Sequence, residues 1–457
     1  MSDSTTASLL GLGRSALLTS QAGLNAVGRN IANASTPGYS RLRTELSTWV
    51  GGGVAAIRLA AIRDHLLESR LRGATSEQSA PQARHDMLVR IEDLLQGTDG
   101  SRLQDSVSKL FASFSDLASS PNGRTERNTV QSQASSLVST FHDLANEVAQ
   151  VRGETETALR DQLQDVNETV AQVAQLNSLI ASAVPGSADR EALIDQRNQT
   201  LRTLSSRIGI EVTESSDAMV QVSLPGGPLL VDSDGVAGTL SLDLSSATTA
   251  AIDYVLPGGT GLDVTTLVSS GSVRGLLDTR NDDLPALQNQ LDTLAAALVT
   301  EVNALHAPGI NANGTSNDFF LATGLTAATL SLDPAIAADP GNIAAGATAT
   351  VGDNTVALAI AGLADRSLVI GGGNPQTFAS YISSVSADLG SRSKNAAELA
   401  DYSEGLVASL DEQRAQVSAV SLDEEGTYML SFQRSYEAAA KFIRAADEAM
   451  QATLSML

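Results

Sequence analysis

Residues 422–457, LDEEGTYMLSFQRSYEAAAKFIRAADEAMQATLSML, decide the fold. Counted in sevens from Leu422, the run sets Met429, Tyr436, Ile443, Met450 and Leu457 on one line, with Phe432, Ala439 and Ala446 at the half-heptads. Apolar residues alternating three and four apart mark a helix that winds against a partner helix. No proline follows Pro375, so the pattern predicts one helical run from there to the last residue. At 1.5 Å per residue the tail alone is a rod of roughly 50 Å.

A matching stripe lies at the other end of the chain. Leu10, Leu17, Leu24 and Ile31 are also spaced by seven, with Val27 between. Burying four such side chains contributes about 6–12 kcal/mol. Ordering the helix that carries them costs about 20 kcal/mol or more, and backbone hydrogen bonds offset only part of that. The N-terminal helix is therefore marginal alone, and needs the C-terminal helix or neighbouring subunits. An ordinary helical bundle whose ends meet would have the same spacing.

Composition narrows the function. The 457 residues suffice for two to four domains. With 29 basic against 52 acidic residues and a net charge of −23, the chain lacks the basic footprint of a nucleic-acid binder. It has no cysteine, hence no disulfide, thiolate metal site or thiol nucleophile. The opening MSDSTTASLLGLGRSALL is not built like a secretory signal peptide. No run of about 20 apolar residues, the length a membrane span needs, occurs in the sequence. Aromatic residues are only 3% of the chain, which suits long helix–helix interfaces better than a ligand pocket.

Between the stripes the period changes twice. Residues 30–41, NIANASTPGYSR, form a helix stop: Pro37 disfavours a helical Thr36, and Pro-Gly is a turn pair. Residues 41–59, with Trp49 and a turn at 51–53, read as a hairpin. Helical patterns dominate from about 60 to 208. Leu103, Val107, Leu110, Phe114 and Leu117 make one apolar face before Pro121-Asn122-Gly123. Val130 to Val151 mark the next helix, and Leu159, Val166, Val173 and Ile180 form a heptad line before Pro185. The period then falls to two at Val220, Val222 and Leu224, again at Leu240, Leu242 and Leu244, and again at Ile252, Tyr254 and Leu256 before Pro257. Those alternations, separated by Gly/Pro turns, predict a small antiparallel β domain. Helices resume with Leu287 to Leu305. Residues 307–352 read as loop, with short strands at 329–332 and 356–360.

The fold class is thus mainly α with an inserted small β domain. Terminal helices pair as a coiled coil (1–60 and 396–457). A helical-bundle middle domain (61–208 and 272–395) surrounds an antiparallel β outer domain (209–271).

Asn30-Ile31-Ala32-Asn33, followed by Thr36-Pro37-Gly38-Tyr39-Ser40-Arg41, resembles the N-terminal signature of the bacterial flagellar rod, hook and hook-associated axial proteins. Leu422-Asp423-Glu424-Glu425 with Phe432-Gln433, Tyr436 and residues 438–441 is similar to the C-terminal signature of the hook-associated branch. Residues 193–197 (LIDQR) and 275–280 (GLLDTR) resemble interior motifs of the same branch. Glu437 and Gly426 depart from the pattern, and Gly426 costs the helix about 1 kcal/mol against Ala and invites a bend. The short stretch after Phe320 suggests that outer elaborations of larger relatives are missing.

The resemblance implies an extracellular structural subunit at the hook–filament junction, exported through the flagellar type III apparatus without a cleaved signal peptide. Its implied partners are copies of itself, the hook protein, the second hook–filament junction protein and a cytoplasmic export chaperone on the C-terminal helix. Nucleic acid and membrane are not among them. The assembly seam is Leu10, Leu17, Leu24, Ile31, Leu422, Met429, Phe432, Tyr436, Ile443 and Met450. Asn30, Asn33, Thr36, Gly38, Tyr39 and Arg41 form the axial-family motif. A hook or rod protein, and a secreted adhesin or enzyme on a helical scaffold, are the alternative readings.

The residues themselves suggest no catalytic site and no cofactor. His65, His85, His142 and His306 are scattered and lack zinc-motif spacing. Gly11-Leu12-Gly13 has no preceding strand to make a nucleotide loop of it. Residues 232–235 (DSDG) and 311–314 (NANG) resemble pieces of calcium loops, without the closing Glu, and read as turns. The acidic run 423–425 suits the positive end of a helix dipole, as a cap or a partner contact.

Overall fold

A computed structural model of the protein describes residues 2–48, 54–96 and 102–455, apart from 216, 234, 247 and 257. Trp49, the turn at 51–53, Asp234, Pro257 and Leu457 lie outside the described residues.

Helix α1 (Ser2–Ala32) leads into a hairpin of β1 (Leu42–Thr48) and β2 (Val54–Ala61), paired antiparallel from Leu42 opposite Ala61 to Thr48 opposite Val54. Four helices follow: α2 (His65–Gln96), α3 (Arg102–Ser119), α4 (Arg124–Ser182) and α5 (Ala188–Arg207). The period-two region folds as two three-stranded antiparallel sheets. One is β3 (Glu211–Glu214), β4 (Val220–Ser223) and β5 (Leu229–Val231); the other is β6 (Thr239–Asp243), β7 (Ala251–Val255) and β8 (Gly261–Asp263). Helix α6 (Ser272–Asp278) passes through a π-helical turn, Thr279–Asp283, into α7 (Leu284–His306). Then come α8 (Pro334–Ala338), α9 (Thr355–Ala361), a two-residue pair of β9 (Leu368–Val369) and β10 (Pro375–Gln376), and the long helices α10 (Phe378–Ser418) and α11 (Leu422–Ser455).

The period-two reading holds on β4, where Val220 and Val222 are buried, and on β7, where Ile252 and Tyr254 are; on β6 Leu240 is buried but Leu242 only half so, and Leu244 and Leu256 lie beyond their strands. Two cores form. The first joins α3, the N-terminal half of α4, α7, α9 and the start of α10 around aromatic rings, with Phe114 and Phe319 centred 5.2 Å apart and Phe319 and Phe320 4.9 Å apart. The second joins the C-terminal half of α4 and α5 to the sheets, with Leu159, Val166 and Val173 against Val222, Leu230 and Ile252. The two helices expected over 130–151 and 159–180 are therefore one, and α4 threads both cores.

Three further expectations are corrected. Residues 356–360 are helical: Asp353 accepts from the Thr355 amide (3.0 Å) and hydroxyl (2.7 Å), starting a turn that buries Val356, Ala357 and Ile360. Around 329–332 there is only a bridge between Phe320 and Leu332. The C-terminal run is not continuous, although no proline interrupts it. Ala419 is extended (φ −73°, ψ 156°), and the freed Ser418 carbonyl accepts the Arg41 amide at 3.0 Å. A contact from a segment far away in sequence thus supplies the partner that the next helical turn would have supplied. The break lets α10 lie along α2 while α11 lies along α1.

Candidate functional site

The α1–α11 pair brings the two terminal stripes together, but not as the leucine spacing suggests. The buried line of α1 is Gly13, Ser20, Gly23, Ala26, Val27 and Asn30. An added Cβ on Gly13 would stand 2.5 Å from Ile443 Cγ1, and one on Gly23 would overlap the Phe432 ring. Small residues let two helix axes approach closely enough for the large side chains of one to seat on the backbone of the other. Leu10, Leu17 and Leu24 run beside this line and are half-covered, and Ile31 is exposed. On α11, Ala439 is buried, and Met429, Phe432, Ile443 and Met450 are half-buried. Leu422 and Tyr436 are exposed at 58% and 43%, so the single chain leaves them open. The helix runs on through Gly426.

At the foot of this pair Asn30 ends the buried line and is 1% exposed. Its Nδ2 donates to the Leu42 carbonyl (2.9 Å) and to Glu425 Oε2 (3.0 Å). Its Oδ1 accepts from the Leu42 amide (2.8 Å) and the Tyr39 hydroxyl (2.9 Å). That is the full capacity of an amide, two donors and two acceptors, used at one point. Burial, reinforced by the charge of Asp195, pushes the Tyr39 hydroxyl up to about 12, so it stays a donor at neutral pH.

Arg41 closes the other side. Its Nε donates to Glu425 Oε1 and its Nη1 to Glu424 Oε2, both at 2.7 Å, and its guanidinium sits 5.5 Å from the centre of the Tyr428 ring. The acidic first turn of α11 is thus an intrachain clamp, a role the sequence reading did not assign it. Gly38 takes φ +82°, where a side chain is strained, and its carbonyl accepts from Arg414 Nη2 at 2.9 Å. Asn33 and Thr36 act locally: Asn33 Nδ2 donates to the Arg29 carbonyl (2.9 Å), and the Thr36 hydroxyl donates to Asn33 Oδ1 (3.3 Å). They shape the turn that delivers the other four motif residues.

The interior motifs extend the network. Asp195 accepts from the Ser40 amide (2.9 Å) and hydroxyl (2.8 Å), and from Arg63 Nε (2.9 Å). Arg63 also donates to Glu191, and Glu68 accepts from Arg202 and from Arg414, each at 2.7 Å. Burial opposes the charge of Glu68, but the two guanidiniums hold its carboxyl below the usual range. Arg197 is buried and donates to the Ala218 carbonyl, tying α5 to the β3–β4 hairpin. Arg280 donates to Glu156 Oε1 (2.7 Å) and to the Thr248 carbonyl (3.1 Å), and Gly275 lies flush on the Ala80 carbonyl.

Sequence reasoning missed Gly13, Gly23, Arg63, Glu68, Arg202 and Arg414. Two glycines inside an apolar helix were a readable hint of close packing; the paired charges had no local signal.

The arrangement is mechanical. His306 is an internal strut: its Nδ1 lies 2.8 Å from the Asn317 carbonyl, and its Nε2 accepts the Ala344 amide at 2.9 Å. Asp232 accepts the Gly235 amide at 3.0 Å, and the 311–315 stretch is a turn in which Asn311 accepts the Thr315 amide at 3.0 Å. Among the described residues no three His, Cys, Asp or Glu side chains gather as metal ligands, and no helix is long and apolar enough to cross a membrane.

A family model described as flagellar hook-associated protein FlgK helical domain matches residues 88–320, and one described as flagellar basal body rod FlgEFG protein C-terminal matches residues 412–456. Flagellar hook-associated protein 1 of Bacillus subtilis is 25% identical over 98% of this chain and 98% of its own. Its namesake in Salmonella typhimurium is 29% identical over 68% of this chain, a match that spans 59% of the relative's length. The Escherichia coli protein of that name is 27% identical, over 75% of this chain and 64% of its own. The structure of the flagellar hook junction protein FlgK from Burkholderia pseudomallei shares the fold, with a TM-score of 0.68 over 76% of this chain and all of that one, at 15% identity. With a family model covering half its length and a terminal joint of this construction, the chain belongs to the flagellar hook-associated protein FlgK family.

Proposed function

We propose that this chain builds the junction between hook and filament by stacking against copies of itself through the paired helices α1 and α11. As a family member it is a structural protein of the extracellular flagellum, not an enzyme, and it assembles with hook and other flagellar components. The finer partners are the hook protein below, the second junction protein above, and an export chaperone on α11 before assembly. In this reading 1–60 with 396–457 form the inner layer, 61–208 with 272–395 the middle layer, and 209–271 the outer domain.

One observation carries the proposal. Among the described residues α1 is the helix packed along α11, and Leu422, Tyr428, Leu430, Tyr436 and Phe442 of α11 still stand 40–58% exposed, as do Leu9, Leu12 and Leu18 of α1 at 43–47%. Exposed apolar surface of this extent along two rods marks an interaction face. Deleting the gene tests it: hooks of normal length should carry no filament, and flagellin should appear unpolymerised in the medium. Full filaments in the deletion strain would reject the junction role. No feature of the described residues favours an adhesin or an enzyme.

A further inference from the structure

A polar pocket of about 270 Å³ lies between the start of α2, α5 and the β3–β4 hairpin, with Arg63, His65, Glu68, Ser69, Arg72 and Glu214 in its wall. Its carboxylates are engaged. Glu68 is held by Arg202 and Arg414 at 2.7 Å, and Glu214 by Arg197 at 3.3 Å with His65 at 3.2 Å. Arg63 is committed to Glu191 and Asp195. Arg72 is different: it makes no hydrogen bond or ion pair among the described residues, while burial pulls its guanidinium below the usual range despite the charge of Glu68. The Nε groups of Arg197 and Arg202, whose guanidiniums hold the two pocket carboxylates, are also buried without a hydrogen-bond partner.

A half-buried guanidinium that feels Glu68 and Glu214 only at a distance, both already held by other cations, has no direct partner of its own, and such a charge is costly to keep unpaired. A guanidinium also presents parallel donors matched to the two oxygens of a carboxylate. We propose that this pocket seats a carboxylate oxyanion on Arg72. The anion comes either from solution or as an acidic side chain of an adjoining subunit, which a chain with 52 acidic residues has in plenty. The cavity has room for an acetate-sized group. This site is separate from the α1–α11 seam, and its solution test does not depend on the junction reading.

The experiment compares the full-length protein with Arg72→Met and Arg72→Lys. Melting is followed in sodium acetate and in sodium chloride at matched ionic strength, and incorporation of each variant at hook ends is scored in a deletion strain. A free anion predicts that acetate raises the wild-type melting temperature, that Arg72→Met abolishes the rise, and that Arg72→Lys keeps part of it. A neighbour's carboxylate predicts no acetate effect, but a loss of incorporation of about tenfold or more for Arg72→Met with partial rescue by Arg72→Lys. In either case Arg72→Met in chloride should melt no lower than wild type, because nothing within the chain is left unpaired. Equal acetate responses, or none, together with normal incorporation of Arg72→Met, overturn the proposal. A variant that melts lower in chloride does so too, since Arg72 would then have a partner inside the chain.

Discussion

Asn30 and Glu425 are 395 residues apart in sequence, and the Asn30 amide donates to the Glu425 carboxylate at 3.0 Å inside the protein. Both residues are 1% exposed. A carboxylate so enclosed is tolerable only while Asn30 and Arg41 both serve it. The pair therefore locks the first turn of α11 to the last turn of α1, and to the strand that leaves it.

Removing Asn30 tests the lock. Asn30→Ala leaves the Leu42 amide, the Leu42 carbonyl and one Glu425 oxygen without a partner, at a cost of roughly 2–4 kcal/mol. Urea denaturation should register the loss, and hydrogen exchange should accelerate at the start of α11. A double-mutant cycle with Glu425→Ala should give a coupling above about 0.5 kcal/mol. Strict additivity would mean that the contact carries no energy.

Two glycines of α1 should respond in opposite ways to one substitution. Gly23→Ala drives a methyl into the Phe432 ring and should cost about 1–3 kcal/mol, less the helix propensity gained. Gly28 has nothing within 4 Å of an added Cβ, so Gly28→Ala should stabilise the helix by about 0.5–1 kcal/mol. Thermal melts monitored by circular dichroism distinguish them. Equal effects would mean that the close approach at Gly23 is not real.

On α11 the two seam residues should fail at different stages. Tyr436 is largely open, so Tyr436→Asp should leave the soluble chain folded and yet block its incorporation at hook ends. Ile443 sits against the Gly13 backbone, so Ile443→Asp should also loosen α1 from α11 in the lone chain. Both should leave the helical middle folded. Electron microscopy of hook tips reads the first effect, and exchange rates of α1 read the second. Wild-type incorporation of both variants would remove the heptads from the assembly surface.

Acid should weaken the first core through His306. Burial lowers this histidine from 6.5 to about 4, so the folded protein holds it neutral where the unfolded chain binds a proton. The stabilisation is complete above pH 6.5, falls as pH drops from there, and is gone below about 4. The full difference is on the order of 3 kcal/mol. Urea midpoints at pH 7 and pH 4.5 should differ less in His306→Gln than in wild type. An unchanged pH slope in the variant would assign the acid loss to carboxylates instead.

Much of the molecule was legible from residue spacing. The helices over 103–117, 159–180 and 287–305 and the strands at 220–223 and 251–255 follow from period alone, because a helix or strand exposes its pattern within a few turns. The helix at 355–361 was misread, as seven residues carry too few repeats to tell period two from 3.6. The turn 30–41 could be recognised as a stop, but not as a hub, since Asn30 meets its partners across the fold. The acidic start of α11 suggested only the general electrostatics of a helix end, whereas the structure gives it Arg41 and Asn30.

The sequence by itself determined that both chain ends are amphipathic helices, that a β insertion interrupts a helical body, and which signatures it bears. Those properties are local, resting on neighbours within a turn or two. Only the tertiary structure decided that α1 meets α11 along its small residues rather than its leucines, that the C-terminal run breaks at 419–421, and that Glu425 is buried. Each depends on how near two distant segments come, and a helix's own period is silent about which of its sides the rest of the chain will cover.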